Sequence, residues 1–444
     1  MSTTRPSVAF HTLGCKVNHG DTARLERAFV DAGFRIVDFS QPADAFVINS
    51  CTVTATASRK SRQILRRAKR RHPGAVVALI GCYPEVAQKM GPGFPEYRTV
   101  FSLPADVLVG LVEPEDIVGR VEGLLDSSLP EGDGFREIST VTRPVVVAQT
   151  GCDGRCTYCI IPTARGPLRS RPSGQVVEEV RGHVNAGVRE IVLAGIHLGA
   201  YGKDGRSDMG LGGLVKSLTS IPGDWRLRLS SLEPMDLDSR LLERIVENPR
   251  VAPHLHLPLQ SGCDAVLRRM GRTYTAGQYL DLINRARSRR SNLGVSTDIM
   301  VGFPGESECE HRESLEFVRS IGFTRTHVFP YSPRPGTPAA KLPNRVDGKT
   351  VRRRRDEFLT LAEESAMEFH RSQLGKTLRV LLEEEVEGEF GTRTRVLRGY
   401  SGNYVPVEVE ATRRDHPGDL VPMIVEAAQK TGCSGRSLSD GPGK

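Results

Sequence analysis

Between residues 143 and 371, short apolar runs alternate with helical stretches, and this rhythm restricts the fold more than any other feature. The runs are RPVVVAQ (143–149), EIVLAGI (190–196), RLRLSSL (226–232), HLHLPLQ (254–260), VSTDIMVGF (295–303) and THVFPYS (326–332). Stretches of helical character at 173–186, 238–247, 276–290, 306–320 and 350–371 separate most of them. Six βα units over about 225 residues predict a full or partial barrel of parallel strands, a partial (β/α)6 barrel. The units share a plan without sharing residues, so no internal sequence repeat underlies them.

The 444 residues exceed what one hydrophobic core usually holds, and the flanking segments read as separate domains. Residues 1–125 also alternate. PSVAFHTL, DAFVINS and AVVALIG read as buried strands, with helical segments near 21–33, 55–72 and 84–90, which predicts a small parallel α/β sheet. Residues 126–143 are polar and contain glycine, as a linker would. Beyond the barrel-like domain (144–371) the pattern changes. LRVLLEEE, RTRVLRGY, YVPVEVE and LVPMIVEA are strand-like runs broken by turns, predicting a small all-β barrel over 372–431. Residues 432–444 read as a disordered tail.

Nine cysteines are many for such a chain. No stretch approaches the roughly 18 apolar residues of a membrane span, and the N-terminus lacks the apolar centre of a signal peptide, so a cytoplasmic protein is expected. In that reducing compartment, clustered cysteines point to metal or catalysis rather than disulfides. The formal charge of +8 favours a polyanionic partner.

The sharpest motif is Cys152-Asp-Gly-Arg-Cys156-Thr-Tyr-Cys159, just past the first barrel strand. Three thiolates so spaced suit three irons of a four-iron cluster, leaving the fourth iron open. Structural zinc needs four ligands, and no neighbouring Cys or His supplies the fourth. Cys15, Cys51 and Cys82 lie far apart in sequence, yet each directly follows a predicted strand, in HTLGC, VINSC and LIGC. Strand C-termini of a parallel sheet share one edge, so these three are expected to converge on a second metal site, with three buried small side chains as the alternative. Cys263, Cys309 and Cys433 show no such pattern and read as incidental thiols.

The triad at 152–159 resembles that of the radical S-adenosylmethionine enzymes. The whole chain resembles their methylthiotransferase family through LGCKVN (13–18), VINSCTVTATASRKSRQ (47–63), GCYPEVA (81–87), CDGRCTYCIIPTARGPLRSR (152–171), HLHLPLQSG (254–262) and DIMVGFPGE (298–306). The C-terminal domain looks like the TRAM module, an RNA-binding β barrel. The resemblance implies two [4Fe-4S] clusters and S-adenosyl-L-methionine as cofactors, with an electron donor such as a flavodoxin or ferredoxin. Cys152, Cys156 and Cys159 would hold the radical cluster, and Cys15, Cys51 and Cys82 an auxiliary, sulfur-donating one. Lys16-Val17-Asn18, CTVT (51–54) and IIPTARG (160–166) are like the branch that methylthiolates N6-threonylcarbamoyladenosine in the anticodon stem-loop of tRNA. His19-Gly20 and Pro84 depart from the family pattern without touching a ligand position.

Tyr158 holds the place of an aromatic residue that packs near the cofactor in that family. Gly195, Glu233 and Gln260 stand at predicted strand ends, where backbone or polar groups suit S-adenosylmethionine; for Gly195 an ordinary strand-to-loop glycine is the alternative. Asp298 reads as a paired structural carboxylate. RKSRQILRRAKRRH (59–72), Arg165, Arg169 and Arg171, and RRRR (352–355) are candidate phosphate contacts or solvated faces. Tyr400 and Tyr404 suit base stacking or core packing. Two other readings stay open: a methylthiotransferase acting on isopentenyladenosine or on a ribosomal protein aspartate, and a non-catalytic, zinc-stabilised RNA-binding protein.

Overall fold

The computed structural model describes residues 5–125, 141–386 and 395–438, and the chain divides into two compact units. The linker expected at 126–143 therefore falls mostly outside the described residues, as do 439–444 of the expected tail.

The first unit contains residues up to 125, Thr150–Leu168 and Ser332–Lys341. Its strands are β1 (Ser7–Thr12), β2 (Arg35–Val37), β3 (Ala45–Ser50), β4 (Val76–Gly81) and β5 (Val107–Leu108), all parallel in the order β2-β1-β3-β4-β5. The helices between them are α1 (Lys16–Asp31), α2 (Ala55–Arg71), α3 (Cys82–Met90), α4 (Tyr97–Phe101) and α5 (Pro114–Glu122). AFVINS and VVALIG are buried along their whole length because the sheet is covered on both sides. Val8, Val47, Ala78 and Ile80 face Leu25, Phe29, Ile117 and Val121, while Phe46, Ile48, Val77 and Leu79 face Leu65, Ala68, Val86 and Ala87. A strand period of two thus feeds two cores.

The second unit contains Val141–Gln149, Arg169–Tyr331 and the residues from Leu342 on. Six parallel strands run in chain order: β6 (Val145–Thr150), β8 (Glu190–Gly195), β9 (Arg226–Leu229), β10 (His254–His256), β11 (Gly294–Val301) and β12 (Arg325–Pro330), with β7 (Arg169–Ser170) beside β6. A Leu227–Val251 bridge and the Leu232 N–H donated to His256 O (3.0 Å) carry the pairing from β9 towards β10. After the short α6 (Ile161–Arg165) of the first unit come α7 (Ser173–Asn185), α8 (Leu211–Thr219), α9 (Ser239–Val246), α10 (Asp264–Arg269), α11 (Ala276–Arg289), α12 (Glu308–Ile321) and α13 (Gly348–Arg371). Capping boxes start α11 (Thr275 with Gln278) and α12 (Ser307 with Glu310), satisfying donors that a helix N-terminus otherwise leaves bare.

One large core joins alternate strand residues, among them Ile191, Leu193, Leu227, Leu229, Val295 and Ile299, to these helices. The intervening residues are polar and bond one another: Arg226 and Arg228 to Glu190, His254 and His256 to Ser296, and His256 to Asp298. This is the partial barrel expected from the alternation.

β13 (Thr377–Val386), β14 (Val396–Ser401), β15 (Pro406–Glu410), β16 (Leu420–Gln429) and β17 (Gly432–Ser437) form a closed five-stranded barrel, consistent with the TRAM-like module. β17 corrects the sequence reading: 432–437, expected in a disordered tail, pair with both β15 and β16. The run GCSGRS carries almost no apolar signal, but its glycines pack against strand carbonyls and Cys433 is buried in the barrel core.

Candidate functional site

In the first unit, β1, β3 and β4 are adjacent and parallel, so their C-terminal ends lie side by side. Cys15 caps α1 three residues beyond β1, Cys51 directly follows β3, and Cys82 is the first residue of α3 directly after β4. α2 begins three residues beyond the intervening Thr52, where the Thr54 hydroxyl accepts the Ala57 N–H (3.1 Å). Three helix N-termini therefore accompany the three thiols, and each favours negative charge.

Two glycines make the approach possible. Gly14 has φ +109°, and a Cβ there would stand 2.8 Å from Cys51 Cβ. Gly81 has φ +93°, and its Cβ would stand 2.4 Å from Asn49 Oδ1.

Cys15 is exposed, whereas Cys51 and Cys82 are buried. Burial pushes the Cys82 thiol up to about 12, against the pull of Arg165, and raises Cys51 in the same sense. Cys15 and Cys51 add to the rise at Cys82, and Cys15 to that at Cys51, which places the three near one another. Thiols held this high keep their protons until a cation displaces them, so metal binding here releases protons.

Around them lies a network that the sequence reading did not assemble. Asn18, three residues along α1 from Cys15, accepts from the Cys15 thiol (3.7 Å) and donates to Leu13 O (2.7 Å) and Ser50 O (3.1 Å). The Arg165 guanidinium donates to Asn18 Oδ1 (2.7 Å), Asp21 Oδ2 (2.7 Å) and Thr150 Oγ1 (3.1 Å), and its positive charge favours the thiolate of Cys82. Burial opposes its charge, but Asp21 and the thiols of Cys82 and Cys15 hold its pKa above the ordinary value. Its Nε is buried with no acceptor among the described residues. A thiol set at three helix N-termini, with a buried cation holding a spare donor, fits a thiolate-held anionic cluster.

The segment with Cys152, Cys156 and Cys159 belongs to this same unit. It turns tightly. The Gly154 N–H donates to Cys152 Sγ (3.2 Å), Cys152 N–H to Gly166 O (3.0 Å) and Cys159 N–H to Cys156 O (3.1 Å). All three cysteines are partly exposed, as is Tyr158 between them. Ile160 and Ala164 anchor the segment in the core beside Cys82, Tyr83 and Val86. The stretch after β12 returns here as well: Ala339 N–H donates to Thr157 O (2.8 Å), and buried Arg334 donates to Thr52 Oγ1 (2.8 Å). Among the described residues no three His, Cys, Asp or Glu side chains are arranged around a single ion; a cubane asks instead for one thiolate at each of three corners.

The other expected cofactor residues lie in the second unit. Gly195 ends β8, where a Cβ would meet Gln149 Oε1 at 2.9 Å and Leu198 Cα at 3.0 Å, so local packing already accounts for the glycine. Glu233 pairs with Arg272. Gln260 is buried with φ +70°, and its Oε1 has no hydrogen-bond partner among the described residues. Asp298 pairs with His256 (3.3 Å). A group absent from the sequence reading stands just past β8: His197 Nε2 and Lys203 Nζ each reach Asp236 at 2.6 Å.

Several candidate RNA contacts are otherwise engaged. Arg165 is internal, Arg171 binds Val147 O and Glu179, and Arg354 is buried against Glu306, while Arg169 stays exposed. Tyr400 and Tyr404 stack on each other (5.0 Å) under Arg143, with Arg228 over Tyr404, so packing claims both rings. Of the remaining thiols, Cys263 faces Glu313 (3.0 Å), Cys433 is internal, and Cys309 is exposed on α12.

Two family models match: Radical SAM superfamily over residues 146–318, and Uncharacterized protein family UPF0004 over residues 7–101. The threonylcarbamoyladenosine tRNA methylthiotransferase MtaB of Bacillus subtilis (strain 168) is 36% identical over 438 residues, covering 95% of this chain and 93% of that protein. The chain belongs to the radical S-adenosylmethionine methylthiotransferase family. A tRNA-2-methylthio-N(6)-dimethylallyladenosine synthase of Cereibacter sphaeroides (strain ATCC 17029 / ATH 2.4.9) is 33% identical, covering 96% and 97%. The radical S-adenosylmethionine methyltransferase TsrM from Kitasatospora setae shares the fold, with a TM-score of 0.55 at 15% identity over 76% of this chain and 77% of that one. This methylthiotransferase is thus a transferase whose cofactors are two [4Fe-4S] clusters and S-adenosylmethionine.

Proposed function

We propose that this methylthiotransferase acts on carbon 2 of N6-threonylcarbamoyladenosine beside the anticodon of tRNA. The observation that carries the reading is the near full-length match to the Bacillus subtilis enzyme of that name, supported by Lys16-Val17-Asn18 after the first cysteine. Cys15, Cys51 and Cys82 hold the auxiliary cluster, and Cys152, Cys156 and Cys159 the radical one. When bound, the two clusters and S-adenosylmethionine supply one-electron chemistry and the sulfur. The protein's part is to hold, orient and shield. Asn18 fixes the Cys15 and Cys51 strand ends to each other, and Ile160 and Ala164 seat the radical-cluster segment. Tyr158, Gly195, Glu233 and Gln260 are the residues we assign to S-adenosylmethionine.

The RNA is met by two surfaces, the exposed face of α2 and the C-terminal barrel. A flavodoxin or ferredoxin is the expected reductant. No helix among the described residues is long and apolar enough to cross a membrane, and cytoplasmic tRNA is the substrate pool we infer.

A second reading, isopentenyl-type adenosine as substrate, is favoured by the comparable match to the Cereibacter enzyme. Nucleoside mass spectrometry of total tRNA from a deletion strain separates the two. The expected result is loss of 2-methylthio-N6-threonylcarbamoyladenosine with accumulation of its unthiolated precursor. Persistence of that nucleoside while a methylthiolated isopentenyladenosine disappears selects the second reading.

A further inference from the structure

Arg165 lies six residues beyond Cys159, yet its guanidinium ends among the residues around Cys15, Cys51 and Cys82. Burying a guanidinium is costly unless its donors are met. Here the bonds to Asn18, Asp21 and Thr150 meet part of that need, and Nε faces no acceptor among the described residues. What sets this arginine apart is its place: its guanidinium and the Cys15 thiol share the Asn18 Oδ1 acceptor, and the carboxylate it pairs with, Asp21, is partly exposed.

We propose that Arg165 is a positioning residue for the auxiliary cluster: it is the buried positive charge that sets that cluster's reduction potential, and it ties the radical-cluster segment to it. The inference rests on the reading that Cys15, Cys51 and Cys82 hold a four-iron cluster. Reduction adds one negative charge to such a cluster. A fixed cation in a poorly screened site stabilises the reduced form more than the oxidised one, and so raises the potential. Asp21 opposes this by neutralising part of the guanidinium's field.

The two residues therefore pull in opposite directions, which gives the test its sign. The full-length chain carrying Cys152→Ala, Cys156→Ala and Cys159→Ala is the parent, reconstituted with iron and sulfide so that one cluster reports. Its midpoint potential is then followed by EPR during anaerobic titration. Arg165→Met is expected to move the midpoint to more negative values, Asp21→Asn to more positive ones, and Arg165→Lys to stay closer to the parent than Arg165→Met. An Arg165→Met midpoint that coincides with the parent's, or shifts of one sign for Arg165→Met and Asp21→Asn, overturn the proposal. If Arg165→Met retains no iron, Asp21→Asn decides by itself: a positive shift supports the charge role and an unmoved midpoint refutes it. A parent without a cluster would instead remove the reading of Cys15, Cys51 and Cys82 on which the inference stands.

Discussion

Gln260 combines two costs that an ordinary strand-end residue avoids. Its backbone is left-handed at φ +70°, and its buried Oε1 lacks a donor among the described residues. Left-handed backbone at a non-glycine costs about 1–3 kcal/mol, and such strain collects at functional sites. Gln260→Gly relieves the backbone and removes the amide. Folding stability is therefore expected to change by less than about 1 kcal/mol, since glycine's greater unfolded-state freedom offsets the relief. Affinity for S-adenosylmethionine should fall about tenfold, the worth of about one hydrogen bond; thermal melting and equilibrium binding check the two halves. The cysteines carry a second prediction at this scale. Two four-iron clusters mean about eight irons per chain, so Cys152→Ala, Cys156→Ala and Cys159→Ala together should leave roughly half. Iron and sulfide analysis of anaerobically prepared protein measures it, and full loss would contradict two independent sites.

Among the described elements, α2 carries a run of basic residues most of which form no ion pair inside the protein. Arg62 bonds the Tyr83 hydroxyl and Lys69 pairs with Asp106. Arg59, Lys60, Arg66, Arg67, Arg70 and Arg71 are exposed, and no salt bridge engages them among the described residues. On α13, by contrast, Arg353 meets Glu308 and Glu357, Arg354 meets Glu306, and Arg355 meets Asp356, so a similar basic run serves mostly to hold its own helix. Replacing Arg66, Arg67, Arg70 and Arg71 with Gln should weaken tRNA binding and flatten its dependence on salt. Each phosphate that is no longer neutralised lowers the slope of log K against log salt by about 0.7–0.9. Binding isotherms at several salt concentrations test this; an unchanged slope would make α2 a solvated face.

For the molecule as a whole, the second unit turns on one buried carboxylate. Glu190, at the start of β8, is fully buried between Arg226 and Arg228, with Arg143 at 3.7 Å. Arg226 and Arg228 also donate to Arg379 O (2.8 Å), Tyr400 O (3.0 Å), Ser401 O (3.1 Å) and Gly402 O (3.1 Å) of the C-terminal barrel. The barrel is thus pinned to the parallel strands by hydrogen bonds that a truncation after 371 would strip away. Burial opposes the charge of Glu190, but Arg226 and Arg228 more than offset it and hold the carboxyl down at about 2. Its folded pKa lies below the unfolded value of about 4.3. Its contribution is therefore complete above about pH 4.3 and is lost as pH falls towards about 2. Glu190→Gln should cost about 3–5 kcal/mol at neutral pH, because it leaves buried guanidinium groups uncompensated. The same variant should show a flatter stability curve through that acid window. Urea unfolding between neutral and acid pH measures both.

The sequence by itself determined the periodicities and set cysteines close behind three strands. Strict βα alternation is a local property, and it located six barrel strands and most of their helices. A cysteine within three residues of the end of each of three parallel strands had one edge on which to converge. What the tertiary structure alone decided was the fate of charge. Arg165, Arg354 and Arg169 look alike in a sequence, yet two are internal and one is exposed, because burial of an arginine depends on carboxylates and carbonyls contributed from afar. Asp21 lies 144 positions from Arg165, and Ser401 O lies 173 from Arg228. Tyr400 and Tyr404 suit bases or packing equally as residue types, and only the placement of Arg143 and Arg228 against them decides for packing. β17 escaped the sequence for the same reason. A strand of glycine, serine, one cysteine and one arginine gains its stability from the backbone partners on either side, and those partners exist only once the barrel closes.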